Sequence, residues 1–403
     1  MKKRVLSGMR ATGKLHLGHL AGVLVNWKRL QNEYDSFFFV ADWHGLTDNP
    51  ENARYMKENI RNMVLDWLAV GIDPDKSTLF IQSLVPQHAE LHLVFSMLVS
   101  LSRLFRNPTY KDKLEDLRKG GMEGGVSLSA IRDVKEELER KANEELKATA
   151  DFVSTLKDRE AIFRKLKGDV MSLFYGFVDK AGERLIEELL ESSSFHSIIS
   201  YGFLGYPVLQ SADILLYKPH YVPVGADQVA HIEITRDIAE KFNRLYAEVF
   251  PIPEALLTET PRIPGMDGRK MSKSYGNAIY LSDDEETVSK KVMKYITDPQ
   301  RIRKSDPGRP EICPVFALHR VFNPDETDEI YRACRTAQIG CVQCKRRLAE
   351  KLNHTLKPIR QRRKELEDSQ IDVFEILKEG SRKAEEFAEG TMEEVRKAMG
   401  MDY

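Results

Sequence analysis

Three short apolar runs, each ending in small or polar residues, constrain the fold of this chain more than any other feature. They are RVLSG (4–8), SFFFVADWHG (36–45) and STLFIQS (77–83). Nearly continuous apolarity is typical of parallel strands that are buried on both faces. The segments between the runs, such as NARYMKENIRNMVLDWLAVG (52–71), place their apolar residues on one helical stripe. Strands that alternate with helices predict an α/β fold with a parallel sheet.

A glycine-rich hinge, KGGMEGG, interrupts this alternation. The charged stretch after it repeats apolar residues every three or four positions, which predicts two or three amphipathic helices and no strand. The alternation resumes at YPVLQSADILLY, YVPVG and HIEITRDIAEKFNRLYAEVF, where apolar residues as far as Val249 keep helical spacing. We therefore expect the first half of the α/β domain (1–114), a helical insertion (115–198), the second half (199–284) and an all-helical C-terminal domain (285–403).

The overall charge is close to neutral, with 61 lysines and arginines against 62 aspartates and glutamates. A polyanionic partner would therefore be bound by local basic patches rather than by a global positive field. The start, MKKRVLSGMR, lacks the apolar core of a secretory signal. The longest apolar stretch, LHLVFSMLVSLSRLF, is too short and too interrupted to span a bilayer. We expect a soluble, cytoplasmic protein with no membrane partner.

Two histidines, His16 and His19, follow the first predicted strand in ATGKLHLGHL. A metal site would need a third ligand and usually an adjacent acid, which this segment lacks. The segment instead predicts a turn with Gly8 and Gly13, then Gly18 and a helix. Glycines let a backbone approach phosphates, and a helix start offers unpaired N–H groups to an anion. The imidazoles then either donate hydrogen bonds to phosphate oxygens or are surface histidines.

A second segment, GRKMSKSYGN (268–277), places Lys270 and Lys273 in a loop rich in serine and glycine. Mobile ammonium groups in such a loop can follow a phosphate as it leaves. By itself, a loop of this composition is most often solvated surface. Catalytic roles for His16, His19, Lys270 and Lys273 therefore depend on what the two segments indicate together.

Together, the two segments resemble the signature pair of the class I aminoacyl-tRNA synthetases. HLGH is similar to their histidine motif, and KMSKS matches their second motif letter for letter. GMRATGKLHLGHL, VADWHGLT, GIDPDKSTLFIQS and VPVGADQVAHIEITRDIAEKFN resemble the tryptophanyl branch, with the tyrosyl branch as the nearest alternative. The resemblance implies a Rossmann-like parallel-sheet catalytic domain and an all-helical anticodon-binding domain. A small-molecule nucleotidyltransferase and a non-enzymatic RNA-binding relative are the competing interpretations.

The resemblance also implies an activity and an ATP site. ATP with Mg²⁺ would activate L-tryptophan to tryptophanyl-AMP, and the acyl group would pass to tRNA(Trp) on an enzyme that is a homodimer. Arg10 and Ala11 stand where many bacterial members have Gln-Pro. The implied ATP-binding residues are Arg10, Ala11, Thr12, Gly18, His19, Gly225, Ala226, Asp227, Ile263, Lys270, Met271, Ser272, Lys273 and Ser274.

The amino-acid pocket is predicted around YPVLQSADILLY. Pro207 suits the first turn of a helix, on which Gln210 and Asp213, three residues apart, share one face. Indole has one hydrogen-bond donor and no acceptor, so an ionised carboxylate suits it. A phenol can also donate to Asp213, so this residue does not exclude tyrosine. The resemblance assigns tryptophan binding to Asp213, together with Gln210 and Gln228.

All four cysteines, Cys313, Cys334, Cys341 and Cys344, form the pattern C-x20-C-x6-C-x2-C. The closing C-x2-C is a good chelate, and four thiolates suit either zinc or a [4Fe–4S] cluster. Some tryptophanyl synthetases have a similar pattern, with a first gap two residues longer, that holds [4Fe–4S]. We predict that cluster, with Zn²⁺ as the alternative. The basic residues nearby, in CKRR and KPIRQRRK, predict contacts with the tRNA backbone.

Overall fold

The structure is a computed structural model that describes residues 2–47, 49–112, 200–225, 228–257, 263–273 and 275–403. The chain divides into two compact units, one formed by Met1–Leu104 and Gly205–Tyr403 and the other by Phe105–Leu204. The predicted helical insertion, residues 115–198, lies outside the described residues. Residues 285–403 belong to the same unit as the sheet. The predicted boundaries between the four segments stay predictions.

The described residues form one parallel sheet of five strands, in the order β3–β2–β1–β4–β5. Its strands are β1 (Arg4–Met9), β2 (Asp35–Val40), β3 (Ser77–Ile81), β4 (Tyr221–Val224) and β5 (Glu254–Leu257). The first three are the predicted apolar runs, and β4 lies in YVPVG. The edge strand β5 was not predicted. The parallel α/β sheet is confirmed.

The helices of the described residues flank this sheet and make up the C-terminal segment. In the first half they are α1 (Leu17–His19), a π-helical turn (Leu20–Leu24), α2 (Val25–Glu33), α3 (Asp42–Leu46), α4 (Met56–Val70), α5 (Gln87–Ser96) and α6 (Leu101–Phe105). Later come α7 (Tyr201–Leu216), α8 (Val229–Leu245), α9 (Glu285–Met293), α10 (Pro314–Phe322), α11 (Thr327–Arg335), α12 (Cys341–Asp368) and α13 (Val373–Ala398). Among the described residues, no helix has the length and apolarity needed to cross a membrane.

Aromatic side chains fill the layers on both faces of the sheet. On one face, Trp27 of α2 stacks on Phe38 of β2 with ring centroids 4.3 Å apart. On the other face, Phe37 and Phe80 pack against Tyr217, which directly follows α7, at 5.2 and 5.1 Å. Burying an aromatic side chain of this size contributes about 2–3 kcal/mol. Coverage of both faces explains why these strands are apolar at nearly every position.

The edge strand β3 is covered by the C-terminal helix α13. Gly380 lies so close to the strand that a Cβ atom at its position would be 1.9 Å from the carbonyl oxygen of Leu79. The hydroxyl of Ser381 accepts a hydrogen bond from the N–H of Ile81 (3.2 Å). A bare strand edge presents unpaired N–H and C=O groups to other chains. The small residues of α13 therefore allow the helix to approach and cover this edge.

The start of α7 differs from the prediction. The helix begins at Tyr201, so Pro207 lies inside it and not in its first turn. The earlier start has a local cause, because the hydroxyl of Ser200 accepts the N–H of Phe203 (3.1 Å) as a helix cap does. Pro207 costs the helix one N–H donor, which the cap and the buried apolar face of the helix offset.

The end of α8 also differs. Val249 keeps helical spacing in the sequence, but the helix ends at Leu245, which is 53% exposed. The side-chain oxygen of Asn243 accepts the N–H groups of Val249 and Phe250, at 3.1 and 3.0 Å. These two bonds replace the helical hydrogen bonds and turn the chain away.

Candidate active site

The predicted site residues follow the carboxyl ends of the strands. Residues 10–12 follow β1, Gly225 follows β4, and the segment that contains Ile263 and Lys270 follows β5. In an open parallel sheet, ligands bind at this edge, at the point where the strand order reverses, which here lies between β1 and β4. Three of the predicted residues, Ala226, Asp227 and Ser274, lie outside the described residues.

The turn between β1 and α1 corrects the predicted glycine roles. Gly8 lies within β1 and not in the turn. It has to be a glycine because the ring of Phe39 covers it, and a Cβ there would be 2.4 Å from that ring. Gly13 does provide the turn, with a left-handed φ of +94°. Gly18 lies inside α1, where a Cβ would be 2.9 Å from the ring of His16. Its missing side chain lets that ring fold over the helix start.

The N–H groups at the start of α1 are already bonded. The N–H of Leu17 donates to the carbonyl oxygen of Ile279 (3.1 Å), and that of His19 to the carbonyl oxygen of His16 (2.9 Å). The N–H of Gly18 donates to Nδ1 of His16 (3.1 Å). The expectation that this helix start offers unpaired N–H groups to an anion is therefore wrong. The donors that this helix start leaves for a phosphate are therefore side-chain groups.

His16 and His19 lie side by side, with ring centroids 3.9 Å apart. His19 Nδ1 accepts the backbone N–H of His16 (3.2 Å), and His16 Nδ1 accepts that of Gly18. Burial, followed by the charges of Lys273 and Lys270, lowers the pKa of His16 to about 4, and burial also holds the pKa of His19 well below its usual value.

Both rings are therefore neutral near pH 7. Because each Nδ1 accepts a hydrogen bond, each ring carries its proton on Nε2 and has one N–H left to donate. His16 is only 8% exposed, so the surface-histidine interpretation is wrong for it.

The lysine loop is organised by Asn277, which the sequence analysis missed. The side-chain oxygen of Asn277 accepts the N–H of Ser272 (2.8 Å), and its amide nitrogen donates to Asp267 (2.7 Å). Gly268 and Gly276 turn the chain with left-handed φ values of +79° and +62°. The side chain of Asn277 thus fixes the loop from within, while Lys273 Nζ extends from the loop to Thr12.

Two of the predicted ATP residues are core residues. The N–H of Met271 donates to the carbonyl oxygen of Ile263 (3.0 Å), and both side chains are buried. Lys270 pairs with Pro264 in an isolated antiparallel bridge. These contacts tie the lysine loop back onto the strand-like segment before it.

The two motif segments are joined directly. Lys273 Nζ donates to the carbonyl oxygen and the hydroxyl of Thr12, at 2.9 and 3.1 Å. His16 also pairs with Tyr280 in an antiparallel bridge. Burial lowers the pKa of Lys273 to about 8, and the negative charge of Asp66 opposes that shift. The structure therefore brings the predicted catalytic histidines and lysines to one place.

Asp213 is a buried acceptor on α7. It is 1% exposed, and its carboxylate accepts hydrogen bonds from His44 Nε2 (2.8 Å), Gln82 Nε2 (2.7 Å) and His88 Nδ1 (2.6 Å). Burial alone would raise the pKa of this carboxyl, but the hydrogen bonds from the two histidines hold it well below its usual range. The interpretation as a helix-surface acid is wrong, since the ionised group lies in the protein interior.

The three partners of Asp213 were missed by the sequence analysis. His44 follows β2 and Gln82 follows β3, so both lie at the carboxyl edge of the sheet, and that position was the available signal. His88 lies on α5 and carries no comparable signal. Its Nε2 accepts the hydroxyl of Tyr217 (2.9 Å), which fixes the ring behind the carboxylate.

Gln210 and Asp213 are three residues apart on α7, but they form hydrogen bonds with different residues. Gln210 Oε1 accepts Nδ1–H of His231 (2.9 Å), whose Nε2 accepts the hydroxyl of Tyr206 (3.0 Å). The backbone N–H of Gln228, just before α8, donates to the carbonyl oxygen of Gly225 (3.0 Å). Their roles in tryptophan binding stay predictions.

The four cysteines belong to the turns and ends of neighbouring helices. Cys313 precedes α10, Cys334 lies near the end of α11, and Cys341 and Cys344 lie in the first turns of α12. Arg301 Nη1 lies 3.6 Å from Cys334 Sγ and 4.0 Å from Cys341 Sγ. Across the parts of the chain that are described, no group of three or more His, Cys, Asp or Glu side chains is arranged to hold a metal ion. The metal site stays a prediction.

Comparison with known protein families identifies the family of this chain. The model of the family described as tRNA synthetases class I (W and Y) matches residues 1–132 and 184–357, which is most of the chain. The chain belongs to this class I synthetase family. A tryptophan–tRNA ligase from Aquifex aeolicus is 50% identical to the synthetase over 404 residues, covering 99% of this chain and 100% of the relative. One from Thermotoga maritima is 42% identical over 403 residues, with coverage of 99% and 100%.

Solved structures agree with this membership. The synthetase resembles the tryptophanyl-tRNA synthetase from Campylobacter jejuni complexed with ADP and tryptophan, with a TM-score of 0.70 and 28% identity over 98% of this chain and 99% of that one. A tyrosyl-tRNA synthetase from Aeropyrum pernix, 17% identical with a TM-score of 0.56 over 97% and 90% of the chains, shares the fold. The Rossmann-like α/β fold with a helical C-terminal region is confirmed.

Proposed function

We propose that this synthetase is a tryptophan–tRNA ligase, which activates L-tryptophan with ATP and passes it to tRNA(Trp) for translation. The observation that carries the proposal is the 50% identity, over 99% of the chain, to a tryptophan–tRNA ligase. The enzyme would act in the cytoplasm, where charged tRNA is used, and as a homodimer.

The amino acid would bind with its indole N–H directed at Asp213. An ionised, buried carboxylate is the partner that a lone donor requires. The side chain of His44 is 10% exposed and that of His88 is fully buried, so His44 is the partner that an incoming N–H would displace. Gln210 and Gln228 would contact the rest of the substrate.

ATP would bind across the turn after β1 and the lysine loop, as its complex with Mg²⁺. The Nε2–H groups of His16 and His19 would donate to phosphate oxygens, which suits their neutral state. Lys273 would exchange Thr12 for the departing pyrophosphate, with Lys270 beside it. The further proposed contacts are Arg10, Ala11, Gly18, Gly225, Ala226, Asp227, Ile263, Met271, Ser272 and Ser274.

The reaction has two steps. A carboxylate oxygen of tryptophan attacks the α-phosphorus of ATP, the bond from that phosphorus to the bridging oxygen breaks, and pyrophosphate leaves. The 2′-hydroxyl of the terminal ribose of tRNA then attacks the acyl carbon and AMP leaves, with the proton passing to solvent. The histidines and lysines supply position and charge stabilisation, and none of them forms a covalent bond.

The four cysteines would hold a [4Fe–4S] cluster, with Zn²⁺ as the alternative. Burial, together with the charges of the other three cysteines, raises the pKa of Cys344 to about 12, so the four sulfurs are close enough to oppose each other's ionisation. A bound metal centre would relieve that opposition. The guanidinium of Arg301 beside two of the thiols also favours thiolate ligands. When bound, such a centre would stabilise the helical segment, and the exposed basic residues of α12 would face the tRNA backbone. Arg363 is not among them, because its side chain is buried.

The test is ATP–pyrophosphate exchange with tryptophan and with tyrosine in parallel, followed by charging of tRNA(Trp). We expect exchange with tryptophan at a kcat/KM at least roughly 100-fold above that with tyrosine. Preferred exchange with tyrosine would reject the proposed substrate, and exchange without tRNA charging would reject the proposed second step.

A further inference from the structure

Asp66 is a buried charge to which the proposed reaction gives no role. It lies on α4 with 0% exposure, and its neighbours Leu65 and Trp67 are equally buried. A carboxylate in such surroundings needs strong partners, because burying an unpaired charge is unfavourable. Its partners come from two distant parts of the chain.

The first partner is the turn that precedes the two histidines. Asp66 Oδ2 accepts the backbone N–H of Leu15 (3.0 Å), and Leu15 is the residue directly before His16. The carbonyl oxygen of Leu15 accepts the N–H of Leu281 (2.9 Å), which lies just after the lysine loop. Asp66 thus holds one side of a peptide segment whose other side is bonded to the second motif segment.

The second partner is Arg363 of α12, whose guanidinium is bonded to Asp66 Oδ1. Arg363 is 6% exposed. It also donates to the carbonyl and side-chain oxygens of Asn62, at 3.1 and 2.8 Å, and pairs with Glu367 on its own helix at 3.2 Å. Every nitrogen of this side chain has a partner, so the guanidinium has one fixed position from which it orients the carboxylate.

A third link runs to the lysine loop. The charge of Asp66 raises the pKa of Lys273 against the lowering caused by burial. The carboxylate therefore lies near enough to both motif segments to act on them, through a hydrogen bond on one side and through its charge on the other.

We propose that Asp66 and Arg363 are positioning residues for adenylate formation, which fix the Leu15–His16 segment against the lysine loop. The inference rests on the proposed function and deepens it. Neither residue touches substrate. The pair acts through the backbone of Leu15, so losing it shifts the imidazole donors relative to the phosphates. A displacement of about 1 Å at a reacting site can lower a rate by roughly 100-fold.

A purely structural role makes a different prediction, and the chemistry of buried ion pairs separates the two. Replacing both members of a buried pair by apolar residues of similar size often leaves stability unchanged or higher, whereas removing one member leaves an unpaired charge. A double apolar variant should therefore keep the fold while removing the hydrogen bond to Leu15.

The experiment compares full-length wild type with Asp66→Asn, Arg363→Met and the double variant Asp66→Leu/Arg363→Met. The matched control is Arg396→Met. Arg396 also ties a C-terminal helix to the first half of the chain, through Glu90 at 2.8 Å, and its remaining guanidinium nitrogen donates to Glu389 of its own helix. Each protein is assayed for tryptophan-dependent ATP–pyrophosphate exchange, with active sites counted by the burst of adenylate, and for urea unfolding.

We expect kcat per active site to fall about 10- to 100-fold in both single variants and in the double variant, with KM for tryptophan changed less than about threefold. The unfolding midpoint of the double variant should recover toward wild type while kcat does not. Arg396→Met should keep kcat within about twofold of wild type. A double variant with wild-type kcat per active site, or recovery of kcat together with stability, would overturn the inference and leave the proposed function intact. Wild type without tryptophan-dependent exchange would overturn the proposed function first, and this inference with it.

Discussion

Gly380→Ala should destabilise this protein, although the same change in an exposed helix normally stabilises. The added Cβ would lie 1.9 Å from the carbonyl oxygen of Leu79, so α13 would have to withdraw from β3 by roughly 1 Å. That withdrawal breaks the bond between Ser381 and the N–H of Ile81, at a cost of about 1 kcal/mol. Overpacking adds about 1–3 kcal/mol, and the better helix propensity of alanine returns about 1 kcal/mol.

The net expectation is a loss of about 1–3 kcal/mol in the free energy of unfolding. Gly390 gives the matched control, because it lies on the same helix with nothing within 4 Å of its Cβ position. Gly390→Ala should therefore stabilise by about 0.5–1 kcal/mol. Urea unfolding followed by helical circular dichroism measures both changes as shifts of the midpoint at a common slope.

The Gly380 variant should also bind tryptophan less well. Ile81 leads directly into Gln82, whose side chain holds Asp213 at 2.7 Å, so a disturbed end of β3 should raise KM for tryptophan more than KM for ATP. Two alanine variants that shift the midpoint in the same direction would refute the claimed contact between α13 and Leu79.

Four further outcomes are expected. Asp213→Ala should cost roughly 2–4 kcal/mol in tryptophan activation, since buried donors lose a charged partner, with KM for ATP changed much less; unchanged exchange kinetics would contradict the pocket assignment. Lys273→Ala should lower kcat far more than tryptophan affinity. In wild type, kcat/KM for ATP should fall as pH rises through about 8, because the Lys273 ammonium loses its proton there. Lys273→Arg should move that decline to higher pH, because a guanidinium stays charged. Cys341→Ser should remove broad absorption near roughly 400 nm from anaerobically purified protein and weaken tRNA charging while exchange survives; colourless wild type with about one zinc per chain would reject iron. Replacing residues 115–198 by a short linker should leave a folded protein that forms the adenylate, and loss of the fold would show that the segment belongs to the core.

The sequence predicted the elements that rest on local composition. β1, β2 and β3 were found because strands buried on both faces are apolar at nearly every position. β5 was missed because its four residues, which directly follow Pro253 and include Leu257 at 65% exposure, carry too little of that pattern. The predicted helix boundaries were wrong where one side chain bonds the backbone: Ser200 caps the start of α7, and Asn243 accepts the N–H of Val249 beyond the end of α8.

The functional site was likewise predicted where the signal is local in sequence and missed where it depends on the fold. The histidine and lysine segments were identified from their sequence motifs. The hydrogen bond between Lys273 and Thr12 that joins them depends on the strand order. The environment of Asp213 was out of reach for the same reason, because His44 and His88 belong to segments far apart in the chain. Predicting those contacts requires knowing which strand ends are neighbours, and no local pattern contains that.

The cover over β3 has a consequence for how the protein is made. Ile81 and Ser381, which meet across the strand edge, are separated by 300 residues. At a translation rate of about 5–20 residues per second, β3 leaves the ribosome roughly 15–60 s before the helix that covers it. During that interval a nascent chain can complete most of the sheet, yet its edge remains able to pair with a strand of another chain. The order in which the strand and the helix are translated therefore sets a period of aggregation risk. No substitution near the edge of β3 would shorten that period.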